Sequence, residues 1–201
     1  MITMAKYKIV NGKAIIPKGT DAIEDYAFYC CRDLAEVEIP YGVTYIGDEA
    51  FSCCRNLVSV IIPESVKYIG YGAFMGCRSL GGIVLPDSLV ELSDCAFSGC
   101  KNLVEVRLSE ELKRIGYRVF YDCRSMEKIS IPAGVTEIGM AAFDRCLSLS
   151  QIDFPEGLTS IGISAFQDCK MLRDIILPSG LTSLGDQAFA GCRHLKKHTI
   201  L

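Results

Sequence analysis

The chain has 201 residues, half of them hydrophobic, and its 21 basic side chains are nearly balanced by 24 acidic ones. That balance argues against nucleic acid or an anionic membrane as the main partner, because both demand a concentrated basic surface. No apolar run approaches the roughly 18 residues of a transmembrane helix, so membrane insertion is not expected either.

Met1 to Tyr7 contains Lys6 but no apolar stretch behind it. That reads as no signal peptide, and as a cytoplasmic protein if Met1 is the native start. Tyr7-Lys8-Ile9-Val10 and Lys13-Ala14-Ile15-Ile16 then flank Asn11-Gly12, the strongest short-range hairpin signal. Residues 1–16 are therefore expected to form an N-terminal β-hairpin cap. From residue 17 onward one motif takes over. Phe28, Phe51, Phe74, Phe97, Phe120, Phe143, Phe166 and Phe189 recur at a constant step of 23 residues, without insertion or deletion. Periods of about 20–50 residues signify stacked units that cannot bury a hydrophobic face alone. The expectation is one domain over 1–201, with eight phased repeats in 17–201.

The unit reads Ile-Pro-x-Gly-Val-Thr-x-Ile-Gly-x-x-Ala-Phe-x-x-Cys-x-x-Leu-x-x-Val-x, as in residues 131–153. Leu57, Val60 and Ile62 show its strand end, with β-branched residues and alternation at period 2. Proline, which has no N–H for a ladder, closes the strand at Pro40, Pro63, Pro86, Pro132, Pro155 and Pro178, with Ser109 as an exception. Val66 and Ile69 belong to a short extended segment on the far side. Gly47, Gly70, Gly116, Gly139, Gly162 and Gly185 suit a sharp bend or a positive φ. Ala-Phe-x-x-Cys suits one short helical turn docked on the core, with Asp25, Asp48, Asp94 and Asp186 placed as caps. The fold class is thus an α/β solenoid.

Eleven cysteines invite a disulfide framework, but eight of them (Cys31, Cys54, Cys77, Cys100, Cys123, Cys146, Cys169, Cys192) lie three residues after the repeat Phe. Used once per turn, a small apolar residue with a weak donor fits a reduced, buried ladder. Cys30 and Cys53 differ: they occupy the position that holds Asp122, Arg145 and Asp168 in later repeats. A position that accepts such residues faces solvent, and stacked strands about 4.8 Å apart allow a disulfide. Two readings stand there, a pair of unbridged surface thiols and a redox-dependent bridge.

Cys-x-x-Leu-x-x-Val-x-Ile-Pro joined to Ile-Gly-x-x-Ala-Phe resembles the 23-residue leucine-rich repeat of the BspA-like family, over about nine-tenths of the chain from Ile15 onward. The resemblance implies a curved, right-handed solenoid whose parallel strands line a concave face. It also implies adhesion or protein recognition, with a cell-surface or secreted setting.

The outward strand positions are the eighth and tenth residues after each Phe. Ile61 and Val84 stand side by side in the second row, flanked by Ser59 and Gly82, with Glu38 and Arg107 at the margins. Exposed aliphatics inside a polar rim suggest a protein-binding patch, and ordinary β-propensity on a solvated sheet is the plainer reading. A second-ranked patch is aromatic: Tyr45 and Tyr68 share a register, with Tyr41 and Tyr71 nearby.

Little suggests chemistry. Cys192-x-His194-x-x-x-His198 uses zinc-ligand residue types, but a ladder cysteine and a strand position should not converge. Gly70, Gly72 and Gly76 imitate a phosphate loop without the following helix. No nucleophile elbow or His-Glu-x-x-His is present, so no cofactor, no metal and no enzyme activity are expected. The leading functional reading is a non-catalytic recognition or adhesion module with a protein partner, and the alternative is a spacer segment of a larger cell-surface protein. The last repeat has no polar cap beyond Leu201, which points to end-to-end pairing through the C-terminal repeat or to a longer array.

Overall fold

The computed structural model of the protein describes residues 7–200. The readings of the leader and of the final residue fall on residues 1–6 and Leu201, which lie outside the described residues, as does the side chain of His198. In chain order the strands are β1 (Lys8–Val10), β2 (Lys13–Ile15), β3 (Ala22–Ile23), β4 (Glu36–Glu38), β5 (Tyr45–Ile46) and β6 (Ser59–Ile61). Next come β7 (Tyr68–Ile69), β8 (Gly82–Val84), β9 (Glu91–Leu92), β10 (Glu105–Arg107), β11 (Arg114–Ile115) and β12 (Lys128–Ser130). The series ends with β13 (Glu137–Ile138), β14 (Gln151–Asp153), β15 (Ser160–Ile161), β16 (Asp174–Leu177), β17 (Ser183–Leu184) and β18 (Lys197–Ile200).

Even-numbered strands stack into one long-strand face and the odd-numbered strands from β3 onward into a short-strand face. Every inter-repeat pairing is parallel and in register, as in Val37 opposite Val60 and Ile46 opposite Ile69. The 23-residue period makes this register compulsory, since each position meets its own equivalent one coil away. The result is a parallel-strand β-solenoid of about seven turns. One continuous cluster of buried residues fills it, running from Ile23 to Ala188.

The phenylalanines form its spine. Phe28 through Phe166 are fully buried, and consecutive rings stack with centroids 4.9–5.8 Å apart and planes within 20°. The last step, Phe166 to Phe189, keeps the geometry at 5.2 Å, although Phe189 is only partly buried. Offset-stacked rings are favourable beyond the area they bury. At the N-terminus β1 and β2 form the expected antiparallel hairpin, with Asn11 (φ 49°) and Gly12 (φ 80°) in its turn. Beside it the Tyr7 ring stacks on Phe28 at 5.3 Å. The repeat pattern gave no hint of this aromatic lid on the row.

The turn between the two strand faces differs from the expected helical turn. No helix occurs among the described residues. The residues two before and two after each Phe adopt left-handed φ in every repeat, between 51° and 75°, from Tyr26 and Cys30 to Gln187 and Gly191. A left-handed residue every fourth position breaks any helical run. Hydrogen bonding explains the choice. Tyr26, Phe28 and Cys30 donate N–H groups to the carbonyls of Asp48, Ala50 and Ser52 in the next coil, at 2.9, 2.7 and 2.7 Å. The alternating residues Ala27, Tyr29 and Cys31 close local turns onto Glu24, Tyr26 and Phe28. Half the donors thus join coils, where a helix would spend them all within one coil.

Two further expectations change for the same reason. Asp25, Asp48 and Asp94 accept hydrogen bonds not from their own turn but from the backbone N–H of Asp48, Tyr71 and Tyr117, one coil on, at 2.7–2.9 Å. The repeat glycines Gly47, Gly70, Gly116, Gly139, Gly162 and Gly185 do not have positive φ. They are required by close approach: a Cβ on Gly47 would lie 2.5 Å from the Asp25 nitrogen, and one on Gly162 2.6 Å from the Gly139 carbonyl carbon. Ser109, in the proline position, is buried and self-sufficient; its hydroxyl donates to the Leu89 carbonyl at 2.7 Å and accepts from the Glu111 N–H at 3.2 Å.

Candidate interaction face

On the long-strand face β4, β6, β8, β12 and β14 alternate exposed, buried, exposed, so that Val37, Val60, Ile83, Ile129 and Ile152 enter the core, while Val106 at the centre of β10 is only partly buried. Their neighbours must therefore point out. Ile61 and Val84 are 58% and 57% exposed, large fractions for aliphatics on adjacent coils. Glu38 pairs with Ile61, and Val84 with Arg107, so the four form one row across β4, β6, β8 and β10. Ser59 and Gly82 stand in the parallel row, opposite Glu36 and Glu105.

The ladder itself is interrupted between Ile61 and Val84. One sheet runs β1-β2-β4-β6 and stops; β8 pairs only with β10, β12 with β14, and β16 with β18. Glycine weakens a strand because it offers no side chain to pack, and Gly81-Gly82 opens the strand on the far side of the first break. Ile62 and Phe154, which directly follow the strands bordering two of the breaks, are only partly buried. An open groove of about 900 Å³ spans β6 to β12, and Ile61, Gly82, Val84, Arg107 and Lys128 are among its lining residues. Four of the six expected patch residues thus line it, while Glu38 and Ser59 lie outside. Sequence reasoning missed Val104, Glu105 and Lys128, because it centred the patch on the two aliphatics rather than on the coils that follow them.

Charge surrounds this apolar centre. Glu64, Glu105, Arg107, Glu110 and Lys128 all border the groove. The Arg107 guanidinium is held by Asp87 Oδ1 at 2.6 Å, and the Asp87 N–H donates to Glu64 at 3.1 Å. An exposed pair of this kind adds little stability but fixes where a positive group sits on the rim.

The tyrosine patch lies on the other face. Tyr45 and Tyr68 are direct partners on β5 and β7, and Tyr41 is 80% exposed in the preceding turn. Tyr71 is engaged elsewhere: its N–H donates to Asp48 at 2.7 Å, and contact with Cys95 raises its pKa. Among the described residues no ring contact links the four tyrosines, so they are neighbours without forming a platform.

All eleven cysteines are unbridged. From Cys54 to Cys192 each ladder thiol donates to the carbonyl of the Phe one coil back, at 2.9–3.2 Å, as Cys54 does to Phe28 and Cys192 to Phe166. Burial pushes the Cys54 and Cys100 thiols up to about 12. The two end members depart from expectation: Cys31 and Cys192 are only partly buried, because each terminal coil has a neighbour on one side alone. Cys30 is exposed and Cys53 partly so, at matching positions of consecutive coils.

Comparison with known proteins agrees with this architecture. The model of the BspA type leucine rich repeat region matches residues 10–126 and 67–196, in six copies. The chain belongs to this family. No curated protein matches it. Among solved structures it is similar to the T. pallidum leucine-rich repeat protein, with 32% identity over 81% of this chain and 78% of that one, at a TM-score of 0.76. A leucine-rich cell surface protein of Faecalibacterium prausnitzii shares 28% identity over 89% of this chain, with a TM-score of 0.68. A leucine-rich repeat protein of Bacteroides ovatus shares the fold at a TM-score of 0.77, with 23% identity over 96% of this chain. The chain spans 58% of the F. prausnitzii structure and 64% of the B. ovatus one.

Proposed function

We propose that this BspA-type repeat protein is a non-catalytic recognition module that binds a protein segment across its long-strand face, in the groove from β6 to β12. A repeat-family role in protein interaction or structural repetition is the general expectation for such chains. The observation that carries the specific reading is the adjacent exposure of Ile61 and Val84, inside a charged rim, where the ladder between their strands is broken. Desolvating two aliphatics at about 25 cal/mol per Å² favours an apolar anchor from the partner, while Arg107 and Lys128 face its acidic groups. The non-catalytic part is supported by the family and by the groove's character: it is open and lined mainly by aliphatic side chains, with Glu64, Glu105, Glu110, Arg107, Lys128 and Ser130 among them.

The surface setting comes from the F. prausnitzii relative, described as a cell surface protein. It also supports the second reading, a spacer within a longer surface protein, since this chain spans 58% of that structure. Ile61→Lys combined with Val84→Glu separates the two. Both positions are exposed, so folding should survive, as circular dichroism would show, while adhesion to a protein-coated surface should fall at least tenfold. Adhesion that survives the double substitution would assign the face to spacing.

A further inference from the structure

Each left-handed position two residues after the Phe carries a backbone cost that glycine avoids, and three repeats place Gly76, Gly99 and Gly191 there. Asp122 and Asp168 suit the same conformation because short polar side chains bond locally. Cysteine has neither advantage, yet it fills the position in two consecutive coils, at φ 57° in Cys30 and 59° in Cys53. Matching φ on in-register coils puts the two side chains on the same side of the turn, one coil apart. The coils are tied at this point, the Cys30 N–H donating to the Ser52 carbonyl at 2.7 Å and the Cys53 N–H to the Met75 carbonyl at 2.6 Å. A Cβ placed on Gly76, the next coil's equivalent, would lie 3.5 Å from Cys53 Sγ and 3.7 Å from its Cα. The same one-coil step brings Cys53 against Cys30, and neighbouring hydrogen-bonded strands lie about 4.8 Å apart. That lies inside the Cα separation of roughly 4.4–6.8 Å that a disulfide accepts.

The ladder thiols share this spacing without sharing the chemistry. Cys54 and Cys77 are fully buried, and their protons are committed to the Phe28 and Phe51 carbonyls. Cys30 is open to solvent, and Cys53 partly so with Ser52 Oγ 3.9 Å from its sulfur. Tyr29 and Arg55 lie beside the pair; burial and the neighbouring Cys53 push the Cys30 thiol up, and the Tyr29 hydrogen bond and the Arg55 charge oppose that shift.

We propose that Cys30 and Cys53 are a dithiol clasp that closes to a disulfide between the first two coils on reaction with a low-molecular-weight disulfide. The Cys30 thiolate attacks one sulfur of the small disulfide, forming a mixed disulfide and releasing the first small thiolate. The Cys53 thiolate then attacks Cys30 Sγ, the mixed bond breaks, and the second small thiolate leaves. Two protein thiols are oxidised, one small disulfide is reduced to two thiols, and the two protein protons end on the released thiolates.

The test uses the fully reduced chain and oxidised glutathione at neutral pH, read by intact mass and by peptide mapping without reductant. The wild type should lose two hydrogens and yield a single cross-link joining Cys30 to Cys53. Cys53→Ser should instead retain one glutathione on Cys30, and Cys95→Ser should close like the wild type. Cys53→Ser sits where Arg145 and Asp168 are tolerated in other coils, and Cys95→Ser where Ser164 stands in another coil, so both should fold. Stable glutathione on both residues of the wild type, or a cross-link to Cys31 or Cys54, would overturn the proposal.

Discussion

Replacing one ring of the phenylalanine row should cost an amount set by its place in the stack. Phe97 is fully buried, with Phe74 at 5.3 Å on one side and Phe120 at 5.8 Å on the other. Truncation to alanine removes a buried aromatic, typically about 3–5 kcal/mol, which includes the cavity that rigid coils cannot close. Two stacking contacts are lost with it, each about 0.5–1.5 kcal/mol beyond area. Some of that is already counted in the truncation figure, so about 4–5 kcal/mol is expected. Phe189 is partly exposed and has one stacking partner, Phe166 at 5.2 Å, so its truncation should cost about 1–2 kcal/mol. Phe97→Leu, which keeps most of the volume and loses the rings' mutual contact, should fall between them at about 2 kcal/mol. Equilibrium urea unfolding followed by far-ultraviolet circular dichroism measures all three. Since coupling in such arrays runs only between neighbours, Phe97→Ala should also broaden or split the transition, while Phe189→Ala only shifts it. Equal costs at Phe97 and Phe189 would refute the stack as the source of stability.

Gly139→Ala should destabilise by about 2 kcal/mol or more by urea unfolding, although its φ suits alanine, because the new Cβ would meet the Gly116 backbone at 2.9 Å; Gly157→Ala, with its nearest atom at 3.7 Å, should be neutral or slightly stabilising. Asp144 is buried with Oδ1 lacking a hydrogen-bond partner, and burial raises its pKa. The folded state therefore holds its proton to higher pH than the unfolded chain, and this group's contribution falls as pH rises from the ordinary carboxylate value through the raised one. Asp144→Asn should raise the thermal midpoint at neutral pH and flatten its pH dependence; an unchanged slope would show that the carboxyl is solvated. With a thiol reagent at neutral pH, the native protein should show fast reaction at Cys30 and Cys53 only, and Cys54 and Cys100 should respond only after denaturation.

What the sequence made legible was whatever side chains decide. The rows of Phe, Cys, Leu and strand Val or Ile follow from a strict period, and so do the outward rows carrying Ile61 and Val84. What it hid was decided by backbone meeting backbone. The left-handed residues around each Phe include Tyr26, Glu49, Arg118 and Gln187, types that carry no signature of that conformation. They are held there by N–H groups reaching the next coil, and a short segment read alone therefore passes for a helical turn. The repeat glycines were visible, but their reason was not, since a bend and a close approach select the same residue. The breaks in the long-strand ladder, which place the groove over β6 to β12, left only the faint mark of Gly81-Gly82.

The C-terminal coil carries the consequences of that backbone polarity. In each coil the N–H groups two before, at, and two after the Phe donate forward, as Ser164, Phe166 and Asp168 do to Asp186, Ala188 and Ala190. In the last coil the equivalent donors, Gln187, Phe189 and Gly191, find no acceptor among the described residues. Around them Leu184 is 52% exposed, and Leu181, Phe189, Cys192 and Leu195 are only partly buried. At the opposite end Tyr7 covers Phe28. In the 201-residue chain this apolar area, with donors that find no acceptor among the described residues, makes self-association through this coil the outcome to test. A two-fold contact, however, would set those donors against their own copies, and Arg193 and Lys196 would repel across it. The expected outcome is weak association that strengthens as salt screens the charges. Light scattering over a concentration series should show it, and Leu184→Glu should abolish it with little loss of fold. A wild type that stays monomeric at high protein and high salt, or a Leu184→Glu variant that associates equally well, would mean that the last coil is already adequately capped.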